Sequence, residues 1–263
     1  MVISEHSRVR LLDVEPDLGA DLDATALEHA AAFLRLPALR LAPGPWGPDD
    51  VRDVVGVQGA VIGCIVVSGL ITRDVHLGDR ICTHLHGPRD FVSLNALDFA
   101  SLPFDVHLGA LSDAEVVVLD DRLLAAGQRW PRIIGRLFDM ATAQLGRQSA
   151  DQAISQLPRV EDRIVALFWQ LANRWGRVRP EGVVFDLPLT HRALGRLVGA
   201  QRSTVSLGLQ SLAADGRLVR RRDGSWILCP DLERVANQPA AGGGAPHGAF
   251  AGHGAAFGRQ TDE

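Results

Sequence analysis

The sequence predicts an α+β chain: an N-terminal antiparallel β-roll, a long helix, and a C-terminal winged helix-turn-helix. Three observations carry this expectation. Between residues 51 and 119 short apolar runs alternate with turn signals, the spacing of an antiparallel roll or barrel. From Pro131 onward, apolar residues recur at helical intervals through Ile133, Ile134, Leu137, Phe138, Ala141 and Leu145. From 188 to 228 two short helical patterns meet at Gly199 and give way to two strand-like runs around Asp223-Gly224.

In chain order, residues 1–22 are polar and acidic with little periodicity, and are expected to be a flexible N-terminus. Residues 23–128 are assigned to the roll. An Ala/Leu-rich helix at 24–36 should end before Pro37, because proline disfavours helical geometry in the residue ahead of it. A first strand fits 36–42, and PGPWGPDD at 43–50 is a turn-rich loop. Strands are expected at 61–71, 72–77, 79–86 and 114–120, with breaks at Gly69, Gly78-Asp79, Gly87-Pro88 and Ser112-Asp113. A short helix at 121–128 leads into a dimerisation helix within 129–157. Pro131 suits its first turn, where no backbone N–H is needed, and the helix runs to about Gln148 or beyond. Its apolar surface is wide enough for two partners, the roll and a second copy of itself. Ile133, Ile134, Leu137, Phe138, Ala141 and Leu145 are therefore the candidate dimer interface. Residues 158–234 form the winged domain, entered by an amphipathic helix at 161–174 with Ile164, Val165, Leu167, Phe168 and Leu171 inward, and Trp169 and Trp175 as packing residues. The Gly/Ala-rich stretch 235–263 lacks the apolar density for a core and is expected to be a disordered tail, its scattered histidines too sparse for a metal.

Within 188–228, Thr190 is placed to cap a helix bearing Leu194, Leu197 and Val198 on one face. Gly199 sits where the turn requires positive φ, and Gly195 is small where two crossing helices approach closely. The second helix, 201–214, carries Val205, Leu209 and Leu212 inward; a strand at 217–222, a two-residue Asp223-Gly224 turn and a return strand at 225–228 make the wing. In this arrangement the second helix enters the major groove with its N-terminal residues near base edges. Arg202 can donate two hydrogen bonds to a guanine and is the candidate base reader, with Ser203 and Ser206 secondary. Thr190, Arg192, Gln201, Thr204 and the run Arg220, Arg221 and Arg222 suit phosphate oxygens.

Charge supports this division. The chain's net charge is −4, its 27 basic residues are all arginine, and it has no tyrosine. Residues 159–234 hold 13 Arg against 8 acids, whereas residues 1–158 hold 13 Arg against 21 acids, so only the C-terminal part is basic. Cys64, Cys82 and Cys229 are few and widely spaced, and form neither a disulfide framework nor a CxxC zinc site. No apolar run reaches the ~18 residues of a membrane span and the N-terminus lacks a signal pattern, so a cytoplasmic protein with no membrane partner is expected.

The segment from Leu187 to Leu228 resembles the C-terminal domain of Crp/Fnr-type bacterial transcription regulators. The matching residues are Leu189, Thr190, Leu194, Gly199, Arg202, Thr204, Val205, Leu209 and Leu212. The run ISQLPRVEDRIVALFWQLANRWGRV, 154–178, resembles the helix leading into that domain in actinobacterial-type members, and GCIVVSGLI and GPRDFVSL resemble the family's β-roll. The resemblance spans roughly residues 25–232. It implies a homodimeric regulator with a cyclic-nucleotide-binding-like sensor roll, a long dimerisation helix and this reading head, working on an inverted-repeat duplex site and with RNA polymerase as a further partner.

Two departures sharpen the expectation. The family's cyclic-nucleotide cassette has a Gly-Glu pair and a phosphate-binding arginine; the corresponding stretch 87–115 has no such pair, and its only arginine, Arg89, falls too early. Control by cyclic AMP is therefore not expected, no cofactor is expected, and the effector is left open. In the second helix, Ser203 and Leu207 stand where the cyclic-AMP-responsive member has Glu and Arg, so a different DNA site is expected.

Two rival readings remain. Cys82, His84 and His86 alternate along one strand face, with His76 and His107 able to join them, which would make a metal- or haem-responsive regulator. Alternatively, the winged module binds protein instead of DNA. The chain shows no nucleophile elbow, P-loop, dinucleotide fingerprint or HExxH, and an enzyme is not expected.

Overall fold

The computed structural model describes residues 3–56, 61–94 and 104–229. The front half is built from two antiparallel sheets packed face to face. One has the order β1-β2-β9-β4-β7, from β1 (Ile3–Arg10), β2 (Arg35–Leu41), β9 (Ala114–Leu119), β4 (Gly63–Ser68) and β7 (Phe91–Ser93). The other has the order β3-β8-β5-β6, from β3 (Gly44–Trp46), β8 (Phe104–Ala110), β5 (Ile71–Leu77) and β6 (Arg80–His86). Leu39, Val66, Ile71, Val92, Leu108, Val116 and Val118 fill the space between them. Strand β9 is buried on both faces. Val116 and Val118 face this core, and Val117 and Leu119 face a second core shared with the flanking helices. That is why its sequence runs apolar without alternation.

The first 22 residues are a correction to the expectation of a flexible N-terminus. β1 pairs along β2, and α1 (Leu11–Val14) and a 3-10 turn (Pro16–Gly19) follow. The acidic segment carries its own apolar anchors: Leu11, Leu12 and Leu18 are buried in the second core beside Leu36, Leu123, Trp130 and Ile133. α2 (Ala24–Phe33), capped by the Asp23 carboxylate on the Ala26 N–H at 2.8 Å, stops three residues earlier than expected, and Pro37 lies inside β2. The loop expected at 43–50 contains β3 and the start of α3 (Pro48–Val55).

α4 (Asp121–Arg129) and α5 (Pro131–Ser155) follow the roll, α5 running 25 residues, two turns beyond Gln148. The head comprises α6 (Val160–Trp175), β10 (Arg177–Arg179), β11 (Gly182–Phe185), α7 (His191–Leu197), α8 (Arg202–Ala214), β12 (Leu218–Arg220) and β13 (Trp226–Leu228), with its strands in the order β10-β11-β13-β12. Its centre is aromatic: the Phe168 ring lies 5.7 Å from Phe185 and 5.1 Å from Trp226.

Roll and head belong to one unit, residues 1–230. Buried Asp90 accepts from Arg147 of α5 at 2.9 Å and from Arg174 of α6. Asp74 of β5 accepts from Arg196 of α7 at 2.9 Å and from Thr83 at 2.6 Å. Among the described residues no helix is long and apolar enough to cross a membrane. The expected tail, 235–263, lies outside the described residues.

Candidate nucleic-acid interface

The helix-turn-helix is fastened from within. Thr190 Oγ1 accepts the Ala193 N–H at 3.1 Å and starts α7. Gly199 adopts φ +63°, the left-handed geometry the turn needs. Gly195 is required for closeness, but to the turn and not to the crossing helix: a Cβ there would sit 2.7 Å from the Ala200 carbonyl oxygen, and the Ala200 N–H donates to the Gly195 carbonyl at 2.8 Å. Arg163 of α6 reaches the carbonyls of Leu157, Val198 and Gly199 at 2.6, 3.2 and 3.4 Å, a fastening that sequence spacing does not reveal because its acceptors are backbone atoms.

α8 turns Val205, Gly208, Leu209 and Leu212 inward. Its opening residues Gln201, Arg202, Ser203 and Thr204 are exposed, and no acidic residue lies in its first turn. The free backbone N–H groups and the positive end of the helix dipole therefore point outward, undiluted by carboxylate. Arg202 has no carboxylate partner among the described residues, so its guanidinium is available for bidentate contact. Arg192 is exposed on α7.

Several expected contacts are corrected. Ser206 has no hydrogen left to donate to a base: its hydroxyl donates to the Arg202 carbonyl at 2.9 Å and lies 2.8 Å from His191 Nδ1, which leaves one acceptor site. Within the wing, pairing stops at Arg220–Trp226, so the turn is a five-residue loop closed by the Arg221 N–H on the Ser225 carbonyl at 2.8 Å, not a two-residue hairpin. The Asp223 carboxylate accepts from both the Ser225 N–H and its hydroxyl, which fixes the loop. Arg221 pairs with Glu181 at 2.6 Å, Arg220 lies over the Trp226 ring at 5.2 Å, and Arg222 is exposed. The three wing arginines are thus not equivalent phosphate donors.

On α5 the expected interface divides. Ile133 is fully buried in its own chain, and Ile134 and Leu137 pack against that same core, so Ile133 is not available to a partner. Phe138 and Leu145, seven residues apart, are 72% and 63% exposed, with Ala141 half-buried between them.

The cysteine–histidine face is also corrected. Cys82 Sγ lies 3.7 Å from His84 Nε2, but His86 is buried, with Nδ1 on Gln144 at 3.3 Å. In register, His76 pairs with Ile81, and His107 pairs with Asp74, itself opposite Thr83; both histidines therefore lie on the face opposite Cys82, where their rings meet at 4.6 Å. Among the described residues no group of three or more His, Cys, Asp or Glu is placed to hold a metal ion. His84 instead faces Asp151 of α5 at 3.5 Å, an ionic contact longer than a directed hydrogen bond, and is pushed up to about 9 by Asp151 and then Cys82. Burial, reinforced by His84, Arg174, Arg73 and Arg147, pushes His86 down to about 3.

Comparison with known proteins bears on both halves. Residues 162–237 match the family described as the Crp-like helix-turn-helix domain. The chain is 30% identical over 213 residues to the regulatory protein CysR of Synechococcus elongatus, covering 74% of this chain and 93% of that protein. A CooA mutant from Carboxydothermus hydrogenoformans superposes with a TM-score of 0.60 at 15% identity, over 89% of this chain and 96% of that one. CLP, the c-di-GMP-responsive global regulator of Xanthomonas campestris, superposes with a TM-score of 0.56 at 23% identity, over 79% of this chain and 100% of that one.

Proposed function

This chain belongs to the Crp/Fnr family of transcription regulators and carries its helix-turn-helix DNA-binding domain, and from that premise we propose that it acts as a homodimer on an inverted-repeat duplex site, in the cytoplasm, without cyclic AMP. The observation that carries the reading is the opening of α8: an exposed, carboxylate-free first turn led by Arg202, in a domain whose wing also presents the exposed Arg222. Arg202 reads a base, Ser203 supports it, and Thr190, Arg192, Gln201, Thr204, Arg220 and Arg222 hold phosphate. The Phe138 and Leu145 seam on α5 supports the homodimer, because two large apolar side chains seven residues apart on one helix face are the spacing of a two-helix interface. RNA polymerase is a further partner. The protein has no resident cofactor and no catalytic role.

Independence from cyclic AMP is supported by the missing Gly-Glu pair of the stretch 87–115 and by the engagement of Arg89. This arginine of the cassette stretch is engaged with Glu15 at 2.9 and 2.6 Å and with Asp17, not open to a phosphate. Residues 95–103 of that stretch lie outside the described residues.

The test is selection of sites from a random duplex pool with purified, ligand-free protein. An enriched inverted repeat is the expected result. Enrichment of a lone half-site would remove the homodimer, and no enrichment by folded protein would remove ligand-free binding.

A further inference from the structure

We propose that Leu207 is a specificity-determining residue that seats against the 5-methyl group of a thymine in each half-site. The inference rests on α8 being the DNA-reading helix. Leu207 is 66% exposed, although α8 has a well-filled inner face of Val205, Gly208, Leu209 and Leu212 into which it does not turn. It lies one turn after Ser203, so the two share an outward strip that begins at the exposed, cationic end of the helix. A branched aliphatic side chain offers no donor or acceptor to a base edge. The apolar feature of the major groove is the thymine methyl, which distinguishes A·T from both its reverse and G·C.

Charge selects nucleic acid over an apolar protein surface as the occupant. Arg202 is exposed on the same helix, Arg192 is exposed on α7, whose His191 touches Ser206, and α8 has no acid in its first turn. Ser206, the neighbour that would otherwise offer a polar contact, is held by His191 and the Arg202 carbonyl. The outward face of α8 therefore presents arginine, hydroxyl and aliphatic groups in that order, and the third is matched by a methyl.

The experiment uses the full-length protein and its selected duplex. Each thymine of a half-site is replaced in turn by deoxyuridine, which deletes only the methyl group, and affinity is measured for the wild type and for Leu207→Ser. One position per half-site should weaken wild-type binding about fourfold, the equivalent of ~0.8 kcal/mol for one buried methyl-sized group. Leu207→Ser should bind the thymine and deoxyuridine duplexes equally. Because Leu207 contributes to no core, this variant should keep the wild-type melting temperature, and Leu207→Gln serves as a second exposed-site replacement.

Sequence-specific binding that is indifferent to every deoxyuridine would overturn the Leu207 assignment and leave the DNA reading intact. A methyl effect that survives both variants would assign it to another residue. Absence of any sequence-specific binding by folded protein, with and without cell extract as a source of effector, would overturn the assignment together with the reading of α8 as the DNA-reading helix.

Discussion

At the scale of single residues, the two serines of α8 show what local spacing can and cannot say. Ser203 and Ser206 read alike in the sequence, yet Ser203 is exposed and Ser206 is tied to His191 fifteen positions earlier. The wing arginines make the same point. A run of three reads as one basic patch, whereas Glu181 occupies Arg221 and the Trp226 ring lies under Arg220. Arg202 is exposed, with no carboxylate partner among the described residues. Arg202→Ala should cost ~1–3 kcal/mol of binding and relax preference at one base pair per half-site. Affinities for a panel of single-base variants check this: if all sites weaken by the same factor, Arg202 contacts phosphate and not a base.

At the scale of elements, α2, α4, α5, α6 and the α7–turn–α8 pair were legible because each carries a local signal, whereas α1, α3 and the strand pair β10–β11 were not expected. Thr190, Gly199 and the inward spacing of Val205, Leu209 and Leu212 define α7, its turn and α8 without long-range information. The roll was legible in outline only. β1 was hidden because its polar, acidic context masked the buried Leu11, Leu12 and Leu18 that tie the segment down, and β3 because it is a three-residue strand inside a proline-rich loop. Strand β8 lies outside the strands the sequence predicts, although Phe104, Val106, Leu108 and Ala110 alternate along it. α5 was legible, but its apolar residues could not be sorted between the roll and the proposed dimer seam. The structure sorts them, and two substitutions should separate the roles. The double variant Phe138→Glu, Leu145→Glu should sediment as a monomer and bind the inverted repeat about 10²–10⁴-fold more weakly, through loss of the linked second head. Ile133→Ala should instead cost ~2–5 kcal/mol of stability and leave the oligomeric state unchanged. A double variant that stays dimeric would move the interface away from this seam.

At the scale of the whole molecule, α5 and the head meet the roll through charged groups that no sequence window contains. Arg147 and Arg174 lie 57 and 84 residues from Asp90, and Arg196 lies 122 residues from Asp74. These pairs were illegible because a salt bridge between distant elements leaves no periodic trace. His84 and His86 sit at the same junction and titrate in opposite senses. His86, held near 3 against an ordinary value of 6.5 by burial and then by His84, Arg174, Arg73 and Arg147, favours the fold when neutral. Its contribution is complete above pH 6.5 and is lost as the pH falls toward 3, because the unfolded chain then binds the proton that the folded chain refuses. His84, raised to about 9 by Asp151 and Cys82, favours the fold when charged. Its contribution is complete below pH 6.5 and is lost as the pH rises through 9. Together the two histidines place a stability maximum near pH 6.5, and melting temperatures across pH 4–9 measure it. His86→Gln should flatten the acid limb and leave the alkaline limb, while Asp151→Asn should flatten the alkaline limb by removing the carboxylate that holds the His84 proton. An acid limb unchanged in His86→Gln would remove His86 as the source of the acid loss of stability.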